Sequence, residues 1–364
     1  MSKAAVIIPT YTRSLSHNEE ISLAQARKVL KNYDIYFILP ESLEINYGCT
    51  EIKEKRYPDE FFSSLRKYSR FMLCPELYRD FKAYEYILVY QLDAFVFTDP
   101  IKRFGSLGYD YIGAPWIDGV FFKNEERQDL WYVGNGGLSL RNVQSFLKFI
   151  EKGRFQPYID FVNEDVLIAA YGAPELRIAP IEAALEFSFE YFDRCMKLTE
   201  GKFPAGCHGW RKYDAEKWKT CIEEQGYTVD DSDKRDFQEV DRTEERRLLS
   251  LMNLNEEQFR KGLFLPEIAS DGVYIWGAGV WGISLLHKFH EIGIKVNGFI
   301  DSDVNKCKKR IDGYKIENPH ILKDQKKNVI VANKRSCEKI VIQLQEYGYE
   351  KKRNYITLQD IIAG

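Results

Sequence analysis

Nowhere in this 364-residue chain does an apolar run approach the roughly 18 consecutive residues that a membrane-spanning helix requires, so no such helix is expected. The first apolar run, residues 4–8 behind a single Lys3, is far too short for the core of a signal peptide. The seven cysteines, Cys49, Cys74, Cys195, Cys207, Cys221, Cys307 and Cys337, are scattered with no CxxC pair and no framework spacing. Such usage belongs to a reducing compartment. The protein is expected in the cytoplasm, where peripheral contact with the inner face of a membrane would leave none of these marks. A sustained basic stripe is missing too. The net charge is -3 with the signs interspersed, which argues against nucleic acid as the main partner and leaves room for local sites that take small anions. Internal repeats and low-complexity tracts are absent.

What is present describes a globular chain. Hydrophobic residues make up 45% and charged residues 29%, enough apolar material for packed cores, and the length suits two domains of unequal size. Residues 4–10 read as a buried parallel strand stopped by Pro9, followed by a helix over 22–32, a strand over 34–39, a helix over 61–81 and a strong strand over 86–90. This alternation predicts an α/β fold with a parallel sheet. From 229 to 247 the sequence turns charge-dense, and Leu248, Leu249, Leu251, Met252 and Leu254 then supply apolar helical positions. Three regions are therefore expected: residues 1–232, a charged and partly helical connector over 233–270, and a second α/β unit over 271–364.

Chemistry concentrates in a few segments. The strand of residues 86–90 runs into Gln91-Leu92-Asp93, placing a carboxylate at a strand's carboxyl end, where open α/β sheets bind ligands. Among apolar neighbours such an Asp needs a partner or a cation, and it either holds Mg or Mn or caps the next turn. Around Asn135, Gly134, Gly136 and Gly137 let backbone approach a ligand closely, or else Asn-Gly forms a hairpin turn. His208, between Cys207 and Gly209, can present its imidazole to a metal. Glu164 and Asp165 open a helical run as first-turn acids or as a general base. Arg66 and Arg70 share one helical face. The loop Pro9-Thr10-Tyr11-Thr12 lacks the Gly-rich phosphate cradle of a nucleotidyltransferase.

In order, the segments Gln91-Leu92-Asp93, Tyr111-Ile112-Gly113-Ala114-Pro115-Trp116, Gly134-Asn135-Gly136-Gly137-Leu138-Ser139-Leu140-Arg141, Glu164-Asp165-Val166, Phe187-Ser188-Phe189-Glu190 and Cys207-His208-Gly209-Trp210 resemble a bacterial and fungal glycosyltransferase-like family. That family is described as a domain of unknown function within the broader GT-A glycosyltransferases, and the resemblance spans roughly residues 1 to 228. It implies a GT-A-type Rossmann-like domain that takes a nucleotide-sugar donor, UDP-linked by expectation. The acceptor would be a glycan, glycolipid or protein, in bacterial surface glycan or glycoconjugate synthesis. By the resemblance Pro9, Thr10 and Tyr11 hold the base. Trp116, Asn135, Gly136, Gly137, Gly209 and Trp210 join the donor site with Arg66 and Arg70, and Asp93 falls at the metal motif. Here the chain departs from the usual Asp-x-Asp: Gln91 replaces the first acid and can bond the ribose. His208 is then needed as the second ligand for Mn or Mg. Asp165, with Glu164 beside it, is the expected base, and inversion follows if Asp165 acts directly.

At the C-terminal end, residues 273–276 lead into Gly277-Ala278-Gly279-Val280-Trp281-Gly282, a helix, and a strand closing at Asp301, the order of a dinucleotide fingerprint. Residues 313–316, 318–319 and 329–332 resemble small nucleotide-sugar- or coenzyme-binding domains appended to bacterial sugar-modifying proteins. A nucleotide ligand at Gly277, Gly279, Gly282 and Asp301 and a docking or homodimerisation role both stay open. An NAD-linked oxidoreductase or epimerase centred there is the alternative from another class, opposed by the missing Tyr-x-x-x-Lys pair. A non-catalytic nucleotide-sugar-binding protein is the third reading.

Overall fold

The computed structural model of the chain describes residues 3–124, 128–233, 243–257, 259 and 271–363. They form two compact units, neither continuous in sequence. One comprises Met1–Ile117, Tyr132–Arg154 and Asn163–Val240, the other Asp118–Trp131, Phe155–Val162 and Asp241–Gly364. Both are α/β with Rossmann-like parallel cores, the fold class that the sequence pattern predicts. Among the described residues no helix is long and apolar enough to cross a membrane.

The strands in chain order are β1 (Ala4–Pro9), β2 (Asp34–Pro40), β3 (Lys53–Tyr57), β4 (Tyr86–Tyr90), β5 (Ala94–Val96), β6 (Tyr111–Gly113), β7 (Pro115–Lys123), β8 (Gln128–Val133), β9 (Leu138–Asn142), β10 (Ser188–Phe189) and β11 (Gly206–His208). Six of them make the first unit's main sheet in the order β3-β2-β1-β4-β9-β6. The pairs from β3 to β4 are parallel, and β9 runs antiparallel to both neighbours. Every residue of β1 and β4 is buried, because helices cover both faces of a parallel sheet and leave no polar side for alternation. Between β1 and β4 the strand order reverses, so the loops after Pro9 and Tyr90 open side by side. A small sheet, β10-β11-β5, lies beyond, with β11 antiparallel to β5 and His208 opposite Ala94.

Local signals explain where the observed elements depart from the expected ones. The first helix begins at His17, five residues before the expected 22, because Ser16 and Glu19 form a reciprocal capping box. The helix expected over 61–81 is broken into a 3-10 turn, Leu65–Phe71 and Pro75–Asp80. Proline cannot continue a helix and keeps the preceding Cys74 extended.

The second unit holds β12 (Val273–Trp276), β13 (Val296–Ile300), β14 (Arg310–Ile311), β15 (Tyr314–Glu317), β16 (Asn328–Val331) and β17 (Tyr355–Thr357) in the order β14-β15-β13-β12-β16-β17. All its pairs are parallel except β14 with β15. The strand order reverses at β12. Of the expected connector, Thr243–Met252 is a helix with Leu248, Leu251 and Met252 buried, while residues 234–242, 258, 260 and 261–270 lie outside the described residues.

Two segments from the first half of the sequence are built into this unit. The Lys123 amide donates to Ser284 Oγ at 3.0 Å, and its ammonium meets Glu291 at 2.9 Å. The Tyr158 hydroxyl donates to Asp312 at 2.9 Å, its ring meets Phe122 and His287, and Asp160 pairs with Lys309. Phe121, Phe122, Phe155 and Tyr158 are wholly buried, and re-exposing them costs roughly 1.5–3 kcal/mol each. A chain ended after residue 232 is therefore expected to bind a hydrophobic dye and aggregate where the full chain does not. A monomeric, cooperatively unfolding truncated protein would contradict this packing.

Candidate functional site

The two loops at the β1/β4 reversal wall a cavity of about 480 Å³ lined by residues 9–12, Glu19, residues 62–65, Tyr68, residues 91–93, Arg211 and Lys212. The position follows from topology, since the carboxyl ends of strands diverge where the order reverses. Pro9 ends β1, the Thr10 amide donates to Ile38 O at 3.1 Å, and the Thr10 hydroxyl meets that of Tyr47 at 2.8 Å. Tyr47 also donates to the Thr12 carbonyl, so the loop is pinned from one side while Tyr11 stays 68% exposed at the cavity.

On the opposite wall Asp93 holds the centre. Its Oδ1 lies 3.2 Å from His208 Nε2, and its Oδ2 accepts a 2.7 Å bond from Lys212 Nζ. Burial works against its charge, yet these two cations keep its carboxyl far below the usual carboxylate range. Burial also disfavours a charged His208, and the carboxylates of Asp93 and Glu190 overcome it, raising the imidazole to about 9. The antiparallel pairing of β5 with β11 makes this contact, and the Gly209 amide reinforces it by donating to the Asp93 carbonyl at 2.9 Å.

His208 touches carboxylates through both nitrogens: Nδ1 lies 3.2 Å from Glu190 Oε1. Nε2 is also 3.3 Å from Gln91 Oε1, and Gln91 turns that oxygen inward because its Nε2 donates to Tyr68 at 3.2 Å. Two oxygens and one imidazole nitrogen thus converge. Neighbouring ligands on an ion with bonds of about 2.1 Å sit roughly 3 Å apart, and the separations of Asp93 Oδ1 and Gln91 Oε1 from His208 Nε2 match that spacing, so these three residues could hold a divalent cation such as Mn or Mg. Glu190, accepting a hydrogen bond from Nδ1–H, would leave Nε2 as the ligand. Among the described residues no cluster of three or more His, Cys, Asp and Glu side chains forms a metal centre by itself. An ion here would draw on the Gln91 amide and on oxygens from its own ligand.

The glycine loop between β8 and β9 makes this convergence sterically feasible. It is not a hairpin, because β8 pairs with β7 while β9 pairs with β4 and β6. A Cβ on Gly137 would stand 2.0 Å from His208 Nε2 and 2.7 Å from Gln91 Oε1, and one on Gly136 would stand 2.8 Å from Glu164 Oε1. Asn135 spans the loop, donating to Glu190 Oε1 at 2.6 Å and accepting the Gly137 amide at 3.0 Å. Under it lies Arg141, wholly buried, whose guanidinium bonds Ser139 Oγ at 3.0 Å, Tyr78 OH at 3.1 Å and the Gly136 carbonyl at 3.4 Å.

Of the residues singled out in the sequence, Pro9, Thr10, Tyr11, Gln91 and Asp93 line the cavity, with His208, Asn135 and Gly137 directly behind. Glu164 serves the loop: it accepts Ser69 Oγ at 2.6 Å and supplies negative charge beside Arg141. Asp165, half-buried in the first turn of the same helix, is not among the residues that line the cavity. Burial, then Glu164, push its carboxyl up to about 8. Trp116 is packed against Gly134, and Trp210 lies in an apolar core with Ile21, Phe95 and Trp218, so neither faces the cavity. Arg66 and Arg70, on the helix Leu65–Phe71, are off its lining as well. The cations that do line it, Arg211 and Lys212, were missed. They follow Trp210 in a tight turn in which Gly209 is left-handed (φ 65°) and the Lys212 amide donates to Gly209 O at 2.8 Å. Two basic residues directly after Cys207-His208-Gly209-Trp210 were the available signal.

In the second unit Gly277, at φ 127°, passes beneath Ala332 O, and a Cβ on Gly282 would meet Gly277 O at 1.9 Å, so the helix Val280–Glu291 can start tight against the strand. Nothing lies within 4 Å of the Cβ position at Gly279. Asp301 is engaged within the chain: Oδ2 accepts the Ala278 amide at 3.0 Å and Lys306 Nζ at 2.9 Å, and Oδ1 accepts the Asp303 amide at 3.0 Å.

Against known families, residues 51–208 match the model described as "Protein of unknown function (DUF5672)", and residues 269–355 match "C2185-like, N-terminal". No curated protein sequence matches the chain. Solved structures similar to it include an active-site mutant of LgtC (15% identity, TM-score 0.43, 63% of this chain and 98% of that one). The galactosyltransferase LgtC in complex with donor and acceptor sugar analogs follows at 13% identity and TM-score 0.40, with the same coverage. An apo structure of the bifunctional glycosyltransferase WbbM is similar at 14% identity and TM-score 0.37, over 57% of this chain and 45% of that one.

The His208–Asp93 contact has a defined pH signature. His208 is raised from 6.5 to about 9, so its stabilising contribution is complete below about 6.5 and disappears as pH rises through 9. Asp93 is depressed, so its share is lost only in acid. The melting temperature of the wild type should exceed that of His208→Gln at pH 6, with the gap closing between pH 7 and 9.5. A gap constant across that range would remove the charged pair.

Proposed function

We propose that this protein is a glycosyltransferase that takes a nucleotide sugar, UDP-linked by our reading, in the β1/β4 cavity and passes the sugar to an acceptor hydroxyl. The observation that carries the reading is Asp93 at the carboxyl end of a buried parallel strand, facing a cavity with His208, Gln91 and Lys212 around it. Residues 9–12 offer the base and ribose a wall with Tyr11 as an exposed aromatic face, and Arg211 and Lys212 present positive charge where a diphosphate would lie. Gln91, Asp93 and His208 would hold Mn or Mg, which when bound supplies charge neutralisation to the leaving diphosphate. Asp165 is the proposed base, taking the proton from the acceptor hydroxyl as its oxygen attacks the anomeric carbon. Direct attack inverts that carbon. We place the reaction in bacterial surface glycan or glycoconjugate synthesis.

Calorimetric titration of UDP into the full chain, with and without Mn, tests the donor site. Metal should strengthen UDP binding in the wild type, and Asp93→Ala and His208→Ala should each abolish the gain. UDP affinity indifferent to metal in the wild type would overturn the site.

Asp165 gives an independent check. At about 8 its carboxyl is protonated at neutral pH, and only the ionised form accepts a proton, so turnover should climb with pH until about 8. Asp165→Asn should lose on the order of 10²-fold or more in turnover and keep its UDP affinity. Wild-type turnover in that variant would exclude the role.

A further inference from the structure

Lys212 occupies the remaining oxygen of the one carboxylate that would ligate an ion. Asp93 Oδ1 faces His208 Nε2 at 3.2 Å, and Oδ2 takes the Lys212 ammonium at 2.7 Å. The lysine is 26% exposed and lines the same cavity as Asp93 and Arg211. Its backbone is held in the Gly209 turn beside the buried Trp210, and its ammonium sits at the end of a stem with four rotatable bonds.

We propose that Lys212 is the counter-cation that makes metal binding at Asp93 conditional on a diphosphate. This rests on the donor reading of the cavity given above. A divalent ion arriving alone meets an ammonium on its carboxylate ligand, and like charges a few ångströms apart in a poorly solvated site repel strongly. When a diphosphate enters, the ammonium gains a second anion within reach of its stem, leaves Asp93 Oδ2, and uncovers the carboxylate. Arg211 is less able to do the same, because it is 7% exposed and its guanidinium lies 4.0 Å from Glu19. Lys212 acts on the metal through Asp93 and is therefore a positioning residue. It keeps a bare ion out of the resting site and transfers its charge to the leaving group when the donor is bound.

The test measures Mn binding from the free-ion signal in electron paramagnetic resonance, with and without UDP, for the wild type, Lys212→Gln and Lys212→Arg. Lys212→Gln should bind Mn alone on the order of tenfold more tightly than the wild type, and UDP should strengthen its Mn binding less. Lys212→Arg retains the charge and should behave like the wild type, which a purely packing role for the methylene stem does not require. Equal Mn affinity in the wild type and Lys212→Gln, with Mn–UDP coupling intact in both, overturns the proposal and leaves the donor site standing. If the wild type shows no coupling at all, the donor reading falls and the proposal falls with it.

Discussion

A guanidinium with no exposed surface governs the first unit. Arg141 lies against the adjoining rings of Tyr111 and Phe146 and must be satisfied from inside. Its donors reach Ser139, Tyr78 and the Gly136 carbonyl, and Glu164 supplies the opposing charge. Removing one partner of such a buried set leaves an uncompensated charge and costs about 3–5 kcal/mol. The loop above it therefore has little freedom. With the Gly136 carbonyl drawn toward Arg141, Gly137 lies against His208, and Asn135 faces Glu190. The donors around Asp93 thus inherit their positions from a charge buried on β9, inside the sheet.

The same atoms around Asp93 satisfy two arrangements. As they stand, protons and an ammonium compensate the carboxylate, and each bond made by Gln91, Glu190 and Lys212 orients a neighbour. With an ion present the same spacing serves coordination, because hydrogen-bond partners and neighbouring ligands stand at similar separations. The backbone around such a site keeps its shape, and what an incoming ion must displace is the Lys212 ammonium and the His208 proton.

Strands buried on both faces announce themselves in sequence, and β1, β4 and β12 were legible for that reason. β3, Lys53-Glu54-Lys55-Arg56-Tyr57, was not, because an edge strand needs no apolar alternation and its charges protect the open edge. The spacing of Arg66 and Arg70 was readable, but it does not say which way their shared face turns, and neither lines the cavity. Asp93 and His208 stand in separate motifs that the family resemblance joins as metal ligands, and their contact is made by the β5/β11 register, which no local signal encodes. Glu190 stood inside a noted motif without a role. Its carboxylate acquires one only when the chain brings back a histidine 18 residues later.

The interleaving of the two units bears on how the protein is made. Residues 118–131 and 155–162 leave the ribosome long before β12 to β17, the strands of the unit they belong to. At typical synthesis rates residues 241–364 take roughly 6–25 s to emerge. Throughout that interval Phe121, Phe122, Phe155 and Tyr158 have no finished core to enter. The second unit therefore cannot close its core until those strands have emerged, whereas every segment of the first unit precedes residue 241, and the C-terminal strands cannot be exchanged for others by recombination at the charged connector alone.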